Sequence, residues 1–181
     1  MAVDLDRLLL SHLGGYPAPV LAEVRVLLAE QRLEQVLARK YPARHAVQSD
    51  AALRDYVREL KQARLRSSPP LHKVVWQNKM DVIHNVLGLH TRISRVQGAR
   101  LKAKAEIRIA GLFKSLAPEF LEMVVVHELA HLREPDHSKA FYQLCEHLLP
   151  DYHQIEFDLR LWLLAQAQAR QQTGAGPVPL N

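Results

Sequence analysis

At 181 residues the chain has the length of one ordinary domain, and 48% hydrophobic with 24% charged side chains is the balance of a globular protein. That excludes a disordered chain, a collagen-like repeat and, because Cys145 is alone, a disulfide scaffold. The net charge of +5 is unevenly spread: residues 61–115 carry 12 basic side chains against Asp81 and Glu106, while residues 116–181 carry 4 against 9 acids. A block of net +10 draws anions, so segment 61–115 makes nucleic acid or a phosphate-bearing small molecule a candidate partner, the alternative being a solvated face. No apolar run approaches the ~20 residues of a membrane span. The opening MAVDLDRLLLSHLGG places acids where a secretory leader needs bases, so a cytoplasmic protein without a membrane partner is expected.

In chain order, residues 17–40 place Val20, Val24, Leu27, Leu28, Leu33, Val36 and Leu37 at helical spacing, which predicts one amphipathic helix stopped by Tyr41-Pro42. Ser49 or Asp50 can cap a second helix through Arg66, with Leu53, Tyr56, Val57 and Leu60 as its buried stripe. LHKVVWQ (71–77) suits a strand or a helix, and Met80, Ile83 and Leu87 read as a helical face ended by Gly88. RISRVQ (92–97) and EIRIA (106–110) are β-prone and predict a hairpin, with Ile107 and Ile109 on one face. Pro118 and Glu119 favour the first turn of a helix running to about Arg133. Ser138 and Asp151 can cap two more, carrying Phe141, Leu144, Cys145 and Leu148, then Ile155, Leu159, Trp162 and Leu163. The tail, residues 173–181, is expected to be disordered.

Chemistry concentrates in His127-Glu128-Leu129-Ala130-His131, an HExxH inside the most apolar helical segment. Residues i and i+4 share a helix face, so both imidazoles can approach one cation while Glu128 is turned toward a water beside it. With 10 His and 11 Glu in the chain, about 0.03 such matches arise by chance. MVVV before the motif implies burial, and two buried imidazoles beside a carboxylate need partners that a metal supplies. A catalytic zinc takes three protein ligands and leaves one position open. His137 is the favoured third ligand: Pro135 ends the helix, and the six-residue step from His131 is that of HExxHxxGxxH, with Glu134 in place of the glycine. Asp136, His147 and His153 are its rivals. Zn2+ would lower the pKa of its water while Glu128 moves the proton, and Tyr142, Tyr152 or His153 could stabilise an oxyanion.

VVVHELAHLREPDHSKAFYQLCEHLLPDYHQIEFDLRLWL (124–163), with GLHTRISRVQGARLKAKAEIRIA (88–110) and PPLHKV (69–74) upstream, resembles the YgjP-like metallopeptidase family over nearly the whole chain. Many relatives carry WGSC in the strand region, where this chain has SRVQG and LKAKAEIRIA. The resemblance implies an α+β fold: a small zincin-like core, its short β-sheet packed on the HELAH helix, with a helical N-terminal extension. It implies one domain over 1–172, divided into a helical part at 17–68 and a catalytic core at 88–165. It assigns His127, His131 and His137 to zinc and Glu128 to catalysis. A zinc-dependent hydrolase of metallopeptidase type, acting on a peptide or protein substrate, is the first expectation. Because the wider family has also been labelled nucleotide pyrophosphatase, a metal-dependent pyrophosphohydrolase using the same site is the second, with Arg95, Arg100, Lys102 and Lys104 holding phosphate. A nucleic-acid-binding protein with a zinc site is the third.

Overall fold

The computed structural model describes residues 4–77 and 105–173. They form an α+β protein in which helices predominate over one two-stranded sheet. The backbone groups into two compact units, one made of the segments Met1–Pro42 and Glu156–Asn181, the other of Ala43–Ile155. Among the described residues no helix is long and apolar enough to cross a membrane.

The first unit contains α1 (Leu5–Leu13), α2 (Ala18–Ala29), α3 (Leu33–Lys40) and, from Glu156 onward, most of the long C-terminal helix α7 (Tyr152–Gln172). Asp4 caps α1 by accepting from the Arg7 backbone N–H. The core joins Leu8, Leu9 and Leu13 to Val24, Leu28, Leu33 and Leu37, and to Leu161, Leu164 and Ala165. One helix over 17–40 does not form. Gln31 adopts the left-handed conformation at φ 55, and the bonds Gln31 N–H to Leu28 O and Arg32 N–H to Leu27 O are those of a Schellman ending. With glutamine where glycine is usual, no local signal announces this break. Val36, placed on the apolar face by that longer helix, is 40% exposed.

The second unit builds the frame of the site. Ser49 caps α4 (Asp50–Arg64) through Ala52 N–H, as its position predicts. β1 (Leu71–Gln77) and β2 (Ala105–Ala110) pair in parallel, with Val74 opposite Ile107 and Trp76 opposite Ile109. LHKVVWQ is thus a strand. The expected hairpin partner of β2, residues 92–97, lies outside the described residues, as does the helical face of Met80, Ile83 and Leu87. Between the strands the chain has ample length for the dozen or more residues a parallel connection needs. Val74, Ile107 and Ile109 are buried, with β1 against α4 and β2 against α5 (Pro118–Ala130).

A 3-10 turn, Gly111–Ser115, leads into α5. Its carbonyls are held from one strip of chain: Arg44 donates to Ser115 O, His45 Nε2 meets Phe113 O at 2.7 Å, and Gln48 donates to Lys114 O at 2.9 Å. Pro118 starts α5, and Phe120, Leu121, Met123, Val124, Val125, Val126, His127, Leu129 and Ala130 are all buried, so this helix has no solvated stripe. It ends at Ala130 with His131 as C-cap, three residues short of the expected Arg133. Ser138 caps α6 (Lys139–Leu148) through Phe141 N–H.

Candidate metal centre

His127 and His131 project from one face near the end of α5, and the turn after it returns His137 to them. The three Nε2 atoms converge: 3.2 Å between His127 and His131, 3.0 Å between His131 and His137, 3.1 Å between His137 and His127. Three mutual hydrogen bonds cannot explain this triangle, because each ring nitrogen offers either one N–H or one lone pair in a single direction. His131 Nδ1 lies 3.1 Å from Glu134 O. A carbonyl only accepts, so Nδ1 carries the proton and Nε2 turns a bare lone pair toward the other two rings. Imidazole nitrogens at about 2.0–2.1 Å from a tetrahedral zinc sit roughly 3.3 Å apart, so the observed spacing suits a shared ion. On donor chemistry and spacing together, the group could hold a metal ion.

Burial is graded across the three. His127 is 1% exposed, His131 half-buried and His137 exposed, which leaves the site open on the His137 side. Burial holds His127 well below the usual imidazole range, reinforced by repulsion from His131 and His137. His131 is lowered too, again chiefly by burial. Neutral rings are the form that binds cations.

Glu128 is half-buried by area, yet enough protein surrounds its carboxyl that burial pushes it up to about 7. Among the described residues no hydrogen bond or ion pair to it is found. Of the rivals for third ligand, Asp136, His147 and His153 stand outside the cluster. His153 instead meets Glu146 at 3.4 Å and lies beside Tyr142, whose ring is 6.2 Å from that of His137.

Two neighbours take parts that spacing alone does not reveal. The Phe141 ring, fully buried, lies 4.9, 4.5 and 4.9 Å from the rings of His127, His131 and His137 and forms a common floor beneath them. In sequence it reads as one more apolar position of an amphipathic helix; the only local cue is its place three residues after the Ser138 cap. Tyr152 is fully buried with its hydroxyl 2.7 Å from His127 Nδ1, on the edge of that ring away from the triangle, a placement that removes it as an oxyanion donor.

The basic segment is partly committed elsewhere. Arg64 bonds Glu122 and Leu148 O, Lys73 and Arg108 pair with Glu106, and Lys114 lies over Trp76. Arg95, Arg100, Lys102 and Lys104 lie outside the described residues.

Residues 21–161 match the family described as YgjP-like, metallopeptidase domain. A protein of Escherichia coli (strain K12) named UTP pyrophosphatase is 56% identical over 154 residues, covering 85% of this chain and 92% of its own. No solved structure matches the chain significantly.

Proposed function

The chain belongs to the YgjP-like family, and from that premise we propose that it is a metal-dependent hydrolase that releases diphosphate from nucleoside triphosphates. The observation that carries the hydrolase reading is the convergence of three imidazole nitrogens next to Glu128, whose carboxyl has no partner among the described residues. The activity for which the 56% identical relative is named favours a phosphoanhydride as the bond cut.

In this reading His127, His131 and His137 hold a divalent ion, zinc by the preference of an all-imidazole set for such metals. Bound there, the ion is a Lewis acid that polarises a phosphoryl oxygen and eases the ionisation of water. Glu128 accepts the proton of the attacking water as the water oxygen bonds to the α-phosphorus. The bond from that phosphorus to the α–β bridging oxygen breaks, and diphosphate leaves with the electron pair. Burial makes Glu128 a stronger base than an ordinary carboxylate, and its conjugate acid returns the proton to the products. Substrate enters from the exposed His137 side, and Arg95, Arg100, Lys102 and Lys104 supply the charge that phosphate needs.

Hydrolysis of a peptide is the second reading, favoured by the metallopeptidase description of the matched family. The same residues serve it, with a carbonyl oxygen in place of the phosphoryl. One assay separates the two: diphosphate released from UTP, ATP, GTP and CTP is measured beside cleavage of a mixed peptide library. Chelator-sensitive diphosphate release restored by zinc is the expected result. Peptide cleavage without diphosphate would reverse the order of the readings, and turnover of neither would overturn both.

A further inference from the structure

A ligating histidine works only if its tautomer is fixed, and the two helix histidines are fixed by different devices. His131 is held by the main chain, through Glu134 O at 3.1 Å from its Nδ1. His127, the most deeply buried of the three, is held by a side chain from outside its own helix, with Tyr152 Oη at 2.7 Å and the two rings nearly parallel at 17°. We propose that Tyr152 is a positioning residue for the metal: its phenol oxygen accepts the Nδ1–H of His127, which leaves Nε2 bare and aimed at the ion. The inference rests on the metal reading above.

The direction of that bond follows from proton counting. A neutral imidazole has one N–H, and a ring that gives Nε2 to a cation keeps its proton on Nδ1, so the phenol must be the acceptor there. Such outer partners orient the ring and raise its basicity, and their loss typically weakens metal binding by about 10–100-fold. A phenol does this without adding charge. Full burial of both partners excludes water as a substitute acceptor, so loss of the hydroxyl leaves Nδ1–H without a replacement.

The test compares the wild type with Tyr152→Phe, which removes one oxygen and keeps the ring against its neighbours. Zinc affinity is measured by competition with a chromogenic chelator, and histidine ring protons of the zinc-loaded proteins are followed by nitrogen-edited NMR. The wild type should show two slowly exchanging Nδ1–H signals, from His127 and His131. In Tyr152→Phe, zinc binding should weaken about 10–100-fold, with the His127 Nδ1–H resonance moving upfield as its hydrogen bond is lost and that of His131 unchanged. A purely structural tyrosine would disturb both protons alike or neither. Unchanged affinity and an unchanged His127 signal would overturn the inference while leaving the metal site standing. A wild type that takes up no zinc would overturn the metal reading and this inference with it. Should the variant fail to fold, the wild-type spectrum decides, because a rapidly exchanging His127 Nδ1–H contradicts the proposed bond.

Discussion

Both compact units bury polar side chains, but they treat them in opposite ways. In the first, buried Asp158 is met at 2.5 Å by Lys40 Nζ and at 2.5 Å by Tyr41 Oη, Glu156 is met by Arg160 at 2.6 Å, and Gln168 donates to Leu28 O. Each buried charge there has its opposite, and the polarity closes on itself. In the second, three imidazole nitrogens converge on one point and the carboxyl of neighbouring Glu128 has no counter-ion among the described residues. Buried polarity costs free energy unless it is paired. An arrangement that keeps it open, on a helix whose residues are mostly buried and apolar, points to a ligand that completes it.

The sharpest way to break this contrast is at Glu128. Glu128→Gln keeps shape and ring geometry but cannot take a proton; kcat should fall about 10²–10⁴-fold with metal content unchanged, measured by steady-state kinetics beside elemental analysis. The same variant tests the openness of the site without turnover. Burial holds Glu128 protonated up to about 7 in the metal-free fold, whereas an unfolded chain releases that proton near the ordinary value of about 4.3. Between those two values the folded state binds the extra proton, so wild-type stability should decline relative to Glu128→Gln as pH rises from 4 to 7, then run parallel above it. Urea melts of both metal-free proteins across that range would show it.

Removal of the floor should cost next most. Phe141→Ala empties the space beneath all three imidazoles and should destabilise by about 3–5 kcal/mol, read from urea melts, with weaker metal binding in the fraction that folds. Asp158→Ala strikes the closed network of the other unit. Lys40 is 46% exposed and regains water, so a loss of about 1.5–3 kcal/mol is expected with kcat and metal content unchanged; a fall in turnover at full metal occupancy would break the contrast between the units. The smallest effect is a gain. Gln31→Gly relieves a left-handed residue that costs roughly 1–2 kcal/mol, less the backbone entropy of glycine, and should raise the melting temperature by about 2–4 °C.

Local patterns were readable and long-range ones were not. The caps at Ser49 and Ser138, the start of α5 at Pro118 and the approach of His137 to the helix pair follow from spacing within a few turns of chain. α1 leaves little trace in the sequence because LDRLLLSHL is short, though Asp4 stands at its cap. The break at Gln31 has neither glycine nor proline to mark it. The partner of β2 is β1, distant in sequence, and alternation along a strand says which face is buried but not what lies alongside. Tyr152 could not be assigned to His127 from spacing, since 25 residues separate them and a buried tyrosine otherwise reads as core.

The most direct test of the central claim is the metal content of the protein, purified without affinity tag or chelator and measured by elemental mass spectrometry beside the double variant His127→Ala, His131→Ala. About one divalent ion per chain, zinc foremost, absent from the double variant, is the predicted result. No metal in either protein, and no uptake of added zinc by the wild type, would contradict it and leave the three histidines without the ion their geometry calls for.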